Sequence, residues 1–294
     1  MNKPLVTIIT PAYNCAKFIA ETIDSVLDNG YENIEYIVLD DCSTDETPKV
    51  LAWYDEAFIK SRSQTNIGEQ KTVNDGLRML SGKYFMIVNA DDPLLNGAIS
   101  ALVDFMEKNP EVLCAYPDWD SISEDGLYKA YIKSRDYDFR YMVKHHTCLP
   151  SVGSMFRSSV IQSVGYRDPR FWWVSDFDYW LRIGLAGQMA HVPLTLAQWR
   201  HRDGQASGSK SDSRAQDHIK LMQKFYSLSN IPDEILEVRR EATCWSYLVA
   251  ATVTDSKLKV LCYIAKAFLS HPLIMFNIEF WDIVRKRALH YFRR

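Results

Sequence analysis

Two acidic runs constrain this chain most, because each follows directly on an apolar, strand-like run. Residues 37–39 lead into Asp40 and Asp41, and residues 84–88 lead through Asn89 and Ala90 into Asp91 and Asp92. In an open α/β sheet, ligands bind beyond the carboxyl ends of the strands. Two such ends side by side bring four carboxylates into one crevice, where they repel each other unless hydrogen-bond donors or a divalent cation compensate. A nucleotide base at the first pair and a metal-bound diphosphate at the second satisfy this chemistry.

Strand-like and helical segments alternate along most of the chain. Apolar, β-branched runs predict strands at 5–10, 34–39, 58–62, 84–89, 112–116 and 189–199. Helical periodicity separates them, as at 18–27, 69–81 and 99–106. The alternation predicts an α/β fold with a mainly parallel sheet flanked by helices. Residues 214–294 look wholly helical, after a loop rich in Gly and Ser at 204–213.

The totals bound the class of protein. A length of 294 residues suits one sizeable domain, or one domain with an extension. The formal charge of -3 gives no argument for nucleic acid as a partner. Six scattered cysteines without a C-x-x-C pair argue against a zinc ribbon or a disulfide framework and fit a reducing compartment. With no signal peptide or membrane-spanning run visible, we expect a cytoplasmic protein.

Three motifs resemble those of the family 2 glycosyltransferases. They are Val-Thr-Ile-Ile-Thr-Pro-Ala-Tyr-Asn at 6–14, Asp-Asp-Cys-Ser-Thr-Asp at 40–45 and Asn-Ala-Asp-Asp at 89–92. The resemblance covers about residues 4–210 and implies an inverting, metal-dependent enzyme of the Rossmann-like GT-A fold that uses nucleotide-diphosphate sugars. It divides the chain into a GT-A domain at 1–210 and a helical extension at 211–294. The nucleotide-binding half would lie at about 1–115 and the acceptor half at about 116–210.

The resemblance implies a donor site in which Tyr13 lies against the base and Asp41 accepts the ring N–H of uracil. A carboxylate accepts a hydrogen bond from such an N–H, and an aromatic face offers stacking. A UDP-sugar is therefore the expected donor. Cys42 stands where the family usually has glycine, and the alternative for this run is an Asp-capped turn. The residues expected to bind the nucleotide sugar are Pro11, Tyr13, Asn14, Asp40, Asp41, Lys71, Asp91 and Arg200.

The same resemblance implies that Asp91, Asp92 and His201 hold Mn²⁺ or Mg²⁺. Hard cations prefer oxygen ligands, and neutral imidazole is also a good metal ligand. The metal would neutralise charge on the departing nucleoside diphosphate. Residues 204–208 would form a flexible lid over the donor. The alternatives are an Asp pair that caps a turn and a surface histidine.

The segment at 172–182 resembles the acceptor side of the family. There Asp176 is the expected base that deprotonates the acceptor hydroxyl, with Asp178 as a second candidate. Trp172 and Trp173 would stack on a sugar, or else belong to the core. Ser175 replaces the usual Glu, and an N-cap without chemistry is the alternative for this position.

The tail has a different chemistry from the rest of the chain. From Lys257 onward, eight basic residues stand against two acidic ones, interleaved with apolar and aromatic residues. This pattern favours peripheral binding to the inner face of the cytoplasmic membrane, where a lipid-linked acceptor would lie. A helical cap on the catalytic domain and a homodimer surface are the alternatives.

The sequence thus predicts a hexosyltransferase that moves a sugar from a nucleotide-diphosphate donor to a hydroxyl of a surface glycan, such as O-antigen or another polysaccharide, or of a lipid-linked acceptor. One alternative is an inactive nucleotide-sugar-binding protein, which the departure at Ser175 would suit. Another is a sugar-phosphate nucleotidyltransferase. The glycine-rich loop with Arg and Lys of that class is absent, and residues 11–14 stand in its place.

Overall fold

A computed structural model describes residues 3–54, 59–63, 65–202, 205, 210–278, 280–281 and 285, with the backbone alone for 59–63. Its strands are β1 (Val6–Ala12), β2 (Ile34–Asp40), β3 (Ile59–Ser63), β4 (Tyr84–Ile87), β5 (Val112–Ile122), β6 (Tyr128–Ile132), β7 (Met155–Arg157) and β8 (Gln188–Arg200). Its helices are α1 (Ile19–Leu27), α2 (Thr47–Leu51), α3 (Glu69–Met79), α4 (Ala98–Lys108), α5 (Phe139–Lys144), α6 (Val160–Val164), α7 (Ser175–Ala186), α8 (Asp212–Phe225), α9 (Asp233–Leu236), α10 (Arg239–Val253) and α11 (Lys257–Ser270). A 3-10 turn at Pro272–Phe276 follows.

The strands form one mixed sheet in the order β3-β2-β1-β4-β7-β5-β6, with β8 paired to β5. β1 is parallel to both β2 and β4, β2 is parallel to β3, and β5 is parallel to β8. β7 pairs antiparallel with β4 and β5, and β6 pairs antiparallel with β5. The predicted α/β fold is therefore confirmed. Phe58, the predicted start of the third strand, lies outside the described residues.

The central strands are buried because helices cover both faces of a parallel sheet, which is why they read as continuous apolar runs. All seven residues of β1 are buried. In α4, Ile99, Leu102, Val103 and Met106 recur at helical spacing on the buried face. Gly82 fixes where the chain enters β4, since a Cβ there would lie 2.6–2.8 Å from backbone atoms of Leu5, Thr7 and Tyr84. The start of β4 is thus held against β1.

The chain divides into two compact units. The first comprises residues 1–137, 149–169 and 182–203, and the second 138–148, 170–181 and 204–294. α7 therefore begins in the second unit and ends in the first. In the second unit, α8, α10 and α11 share a small core made of Ala215, Ala250, Ala251, Val260 and Tyr263. The predicted domain boundary near residue 210 stays a prediction.

Several elements escaped the sequence pattern. β6, α5 and β7 were not predicted, and β5 extends to Ile122, well beyond the predicted end at Tyr116. β6 has mostly exposed side chains, so its pairing with β5 rather than its own composition makes it a strand. Pro193 falls in a bulge of β8, where the register with β5 shifts between Val192 and Thr195. A bulge tolerates the missing N–H of proline. Within the described part of the chain, no helix is both long and apolar enough to cross a bilayer.

Candidate active site

Three parallel strands deliver the predicted donor residues to one edge of the sheet. Pro11 lies opposite Leu39 in the register of β1 and β2, and Ala12 lies opposite Asp40. On the other side of β1, the N–H of Val88 donates to the carbonyl of Ile9 at 2.9 Å, which continues the pairing just beyond β4. Because these strands are parallel, their carboxyl ends meet at the same edge. The expected meeting of the two acidic runs therefore has a structural basis.

Asp40 and Asp41, the first acidic pair, are both buried and accept different hydrogen bonds. Asp41 accepts the N–H of Ile67 on one carboxylate oxygen and that of Gly68 on the other, both at 2.8 Å. It thereby fixes the loop that begins α3. Asp40 accepts the N–H of Ser43 at 3.0 Å through Oδ1, whereas its Oδ2 is buried and has no hydrogen-bond donor among the described residues. Asp40 therefore keeps an acceptor that the fold itself leaves unsatisfied.

Asn14 fastens the first motif to the second. Its backbone has a positive φ of 49°, which Asn tolerates better than most residues. Its side-chain oxygen accepts the N–H of Thr44 at 2.8 Å, and its own N–H donates to the hydroxyl of Ser43 at 2.9 Å. The neighbouring Tyr13 ring is 49% exposed, as a stacking partner for a base must be. Asn14 thus has a structural role that the sequence did not predict, and its contact with the donor stays a prediction.

Both carboxylate oxygens of Asp92 accept hydrogen bonds from the protein. Its Oδ1 accepts the N–H of Arg200 at 3.0 Å, and its Oδ2 accepts the side-chain amide of Asn89 at 2.9 Å. Burial, followed by the negative charge of Asp91, raises the pKa of Asp92 well above its ordinary value. Both oxygens already have protein donors, so Asp92 is poorly placed as the main metal ligand.

Asp91 is the more available carboxylate of the second pair. Its Oδ2 forms an ion pair with Nε of Arg202, and within the described chain no donor meets its Oδ1. The Arg202 guanidinium also lies 5.8 Å from the ring centre of Phe18. A cation therefore already faces Asp91. Arg202 was not predicted as a site residue, although its spacing of two from Arg200 predicts that both side chains point to one side of an extended chain.

Arg200 is 2% exposed and held by the protein on every side. Nε donates to the carbonyl of Asp91 at 3.1 Å, Nη1 to that of Glu124 at 3.0 Å, and Nη2 pairs with Glu21 at 2.6 Å. A donor contact by Arg200, as predicted, would require it to give up one of these bonds. That contact stays a prediction, and Arg202 is the arginine with an accessible side chain.

Lys71 and His201, two further predicted residues of the first unit, make fewer contacts with the rest of the protein. Lys71 is exposed on the first turn of α3. His201 is half-buried with its ring against Trp199, and its backbone N–H donates to the carbonyl of Ile122 at 2.9 Å. Of the predicted lid at 204–208, all but Gln205 lie outside the described residues.

The donor set fits a divalent cation held mainly by substrate. Across the described ranges there is no group of three or more His, Cys, Asp or Glu side chains that would hold a metal ion. Mg²⁺ and similar ions are often bound by one or two carboxylates together with substrate phosphates and water. Asp91, with its second oxygen open, suits that arrangement, and the repulsion between Asp91 and Asp92 is what a cation would relieve.

The predicted base and acceptor residues belong to the second unit. Asp176 is exposed, and its Oδ1 accepts the N–H of Phe177 at 2.7 Å. Asp178 is buried and ion-paired with Lys224. Trp172 is 56% exposed. Asp176 is therefore the carboxylate that a substrate can reach, whereas Asp178, the second candidate for the base, is engaged in the core.

The family can now be stated from a match over more than half of the chain. A profile described as "Glycosyl transferase family 2" matches residues 7–165, which contain both acidic runs and the strands that carry them. The chain belongs to this family. Asp176 lies beyond the matched segment.

Two curated relatives of this family 2 glycosyltransferase differ in how much of them it spans. It is 28% identical over 220 residues to an uncharacterised glycosyltransferase of Haemophilus influenzae, covering 70% of this chain and 68% of that protein. It is 25% identical over 236 residues to the chondroitin synthase of Escherichia coli, covering 76% of this chain and 33% of that enzyme. The chain thus spans only a third of the length of the second relative.

Two solved structures share the GT-A fold with this family 2 glycosyltransferase. Residues 1–349 of Staphylococcus aureus TarS in complex with UDP-GlcNAc superpose with a TM-score of 0.64 at 15% identity, covering 98% of this chain and 91% of that one. The mannosyltransferase PcManGT of Pyrobaculum calidifontis, in complex with GDP-Man and Mn²⁺, gives 0.62 at 18% identity, covering 98% and 87%. At these identities the comparison establishes the fold.

We expect Asp92→Asn to destabilise the fold more than Asp91→Asn does. Asp92→Asn places an amide N–H₂ against the N–H of Arg200 or the amide of Asn89, so it should reduce the free energy of unfolding by about 1–3 kcal/mol. Asp91→Asn loses an ion pair to a partly exposed arginine and should cost less than about 1 kcal/mol. Urea denaturation measures both, and equal losses for the two variants would contradict this division of roles.

Proposed function

We propose that this protein is an inverting hexosyltransferase that uses a UDP-sugar and a hydroxyl of a surface glycan or lipid-linked acceptor. The observation that carries the proposal is that Asp40 and Asp41 stand at the carboxyl end of β2 and Asp91 follows the carboxyl end of β4, and that both strands pair in parallel with β1. This edge is where open α/β sheets bind ligands. The unsatisfied Oδ2 of Asp40 and the open Oδ1 of Asp91 both call for a donor or a cation.

The fold neighbours support a nucleotide-sugar donor in general. TarS was solved with UDP-GlcNAc and PcManGT with GDP-Man and Mn²⁺, so the same fold holds either base. The exposed Tyr13 ring offers a stacking face for any base, and the Asp41 carboxylate accepts a ring N–H, which uracil and guanine present and adenine does not. We favour uracil over guanine on the resemblance of the first two motifs to those of the family. Because Asp41 already accepts two backbone N–H groups, a base would share lone pairs with them. The buried Oδ2 of Asp40 is the competing acceptor.

The reaction requires an acceptor oxygen to attack the anomeric carbon while the nucleoside diphosphate leaves. A bound Mn²⁺ or Mg²⁺ supplies charge neutralisation at the diphosphate, and Asp91 would hold it. Arg202 would then move from Asp91 toward the phosphates, which guanidinium groups bind well. Asp176 takes the proton of the acceptor hydroxyl as the new bond forms. A single displacement without an enzyme nucleophile inverts the anomeric centre.

Donor binding tests the first half of this proposal. In calorimetry with Mn²⁺, UDP should bind at least about tenfold more tightly than ADP or GDP, equivalent to about 1.4 kcal/mol. Asp91→Asn should remove the dependence on Mn²⁺. Asp75→Asn, which alters a half-buried carboxylate on α3 paired with Arg78, is the matched control and should bind like the native protein. Equal affinity for the three nucleotides, or binding unchanged by EDTA, would refute the donor assignment.

Turnover tests the second half. Asp176→Asn should lower kcat by about 10²–10⁴, the range for loss of a general base, with donor affinity unchanged. Assays on a panel of UDP-sugars, with donor hydrolysis as the readout, require no known acceptor. If the native protein binds donors but turns over none of them, the inactive-binder alternative gains support. If Asp178→Asn abolishes turnover without loss of stability while Asp176→Asn stays active, the two roles are exchanged.

The tail supports a place for the acceptor. Large apolar side chains are exposed on α11 and just after it, namely Leu258, Leu261, Leu269, Leu273, Phe276, Ile278 and Trp281. Lys257 and Lys266 are exposed on the same helix. Basic residues beside exposed apolar ones suit an anionic bilayer, which attracts each Lys or Arg by about 1 kcal/mol. We therefore propose that the second unit binds an anionic membrane surface, where a lipid-linked acceptor is found.

Liposome flotation tests the membrane proposal on the full chain. The protein should float with vesicles that contain anionic lipid at low salt and much less at high salt, because the Debye length shrinks. Leu269→Glu with Phe276→Glu should abolish flotation without changing the fold, since both side chains are exposed. Leu127→Glu, an exposed leucine of the first unit, is the control. If the chain ignores anionic vesicles and the double variant instead dissociates a dimer, the exposed face is a subunit interface.

A further inference from the structure

One face of α8 contacts the segment that carries the predicted base and acceptor residues. Asp217 is buried on this helix, and its Oδ2 accepts the N–H of Trp172 at 3.2 Å and that of Trp173 at 3.3 Å. A carboxylate that accepts two adjacent backbone N–H groups fixes the direction of the chain at that point. The approach to α7 is therefore set by a side chain of α8.

Arg214 lies one turn earlier on the same face. Its guanidinium carbon is 5.9 Å from the ring centre of Trp173, within the range of a cation–π contact. Burial lowers the pKa of Arg214, and the negative charge of Asp176 partly offsets that effect. Arg214 therefore packs against the aromatic ring that precedes α7 by two residues.

The other titratable groups around α7 are accounted for. Nδ1 of His218 lies 3.0 Å from Nε2 of His146, whose ring packs edge-on against Phe177 at 5.0 Å. Burial lowers the pKa of His218 to about 4 and that of His146 well below its ordinary value, so both rings are neutral near pH 7. Asp178 is paired with Lys224. Lys224 of α8 therefore also meets the first turn of α7.

We propose that α8 is a positioning element of the active site, in which Asp217 orients the Trp172–Trp173 segment and Arg214 packs against the ring of Trp173. At helical spacing, α8 carries Arg214, Asp217 and Lys224. These side chains contact Trp172, Trp173 and Asp178 of the segment 172–178. α8 lies outside residues 7–165, the segment matched by the family profile. The inference rests on the proposed role of Asp176 as base and extends the working site to a helix of the C-terminal region.

Acceptor kinetics test the part played by Arg214. Arg214→Gln removes the cation that lies against the ring of Trp173 and should raise the acceptor KM by about 2- to 10-fold, with the donor Kd unchanged. Arg214→Lys keeps a cation and should recover part of the loss. Lys220→Gln removes a positive charge from the exposed side of the same helix and is the matched control. If Arg214→Gln and Lys220→Gln give the same acceptor KM as the native protein, the proposal for Arg214 is wrong.

Acceptor kinetics test the part played by Asp217. Asp217→Leu should raise the acceptor KM and lower kcat, together reducing kcat/KM for the acceptor by about 10²-fold, since small misplacements of a site are that costly. The donor Kd should not change. Asp217→Asn retains an acceptor oxygen and should recover part of the loss, and it replaces Asp217→Leu if the latter does not fold. An unchanged acceptor KM in both variants would overturn the proposal.

The role of Asp176 as base and the positioning role of α8 can be tested separately. If Asp176→Asn retains full activity, the base assignment fails, whereas a raised acceptor KM in Asp217→Leu would still support α8 as the element that positions the tryptophans. If Asp176→Asn is inactive and neither Arg214→Gln nor Asp217→Leu differs from Lys220→Gln, the base assignment stands and the positioning role of α8 falls.

Discussion

Compensation of buried negative charge is the constraint on which the rest of this structure depends. Parallel pairing of β1 with β2 and β4 brings carboxylates to one edge of the sheet, and each must be met by donors or cations. Asp41 takes two backbone N–H groups from the start of α3, and Asp92 takes one from the end of β8. The carboxylates therefore bind together segments that are far apart in sequence. The same bonds that offset their charge shape the crevice.

This compensation leaves two oxygens over. Oδ2 of Asp40 and Oδ1 of Asp91 lack donors within the described residues, while the other oxygens of the four carboxylates have them. Arg202 faces Asp91 as a movable cation, in contrast to Arg200, whose guanidinium is locked by Glu21 and by backbone carbonyls. Neighbouring residues of the same segment thus have different roles. Asp92 and Arg200 are hydrogen-bonded within the fold, whereas Asp91 and Arg202 are available to a ligand.

A similar division occurs in the second unit. Asp178 and Asp217 are buried and engaged, one with Lys224 and one with the backbone before α7, while Asp176 stays exposed. In both units the carboxylate that is accessible for chemistry is next to, or two residues from, one that is not. Buried neighbours make the geometry rigid, and a rigid frame is what a positioned base or metal ligand needs. α8 therefore joins the C-terminal helices to the segment that carries Asp176.

The sequence by itself determined the α/β architecture, the family and the candidate residues. Apolar runs that end in acids fix strand ends, and β1, β2, β4 and α4 were predicted within a few residues. Tertiary structure alone decided which member of each acidic pair is available, because burial and the polar partners come from β8, the start of α3 and Lys224 of α8, more than 25 residues away along the chain. It also decided the strands β6 and β7, whose short segments become strands through pairing with β5. Local pattern encodes which side chains can do chemistry, and long-range contacts select those whose atoms remain free to do it.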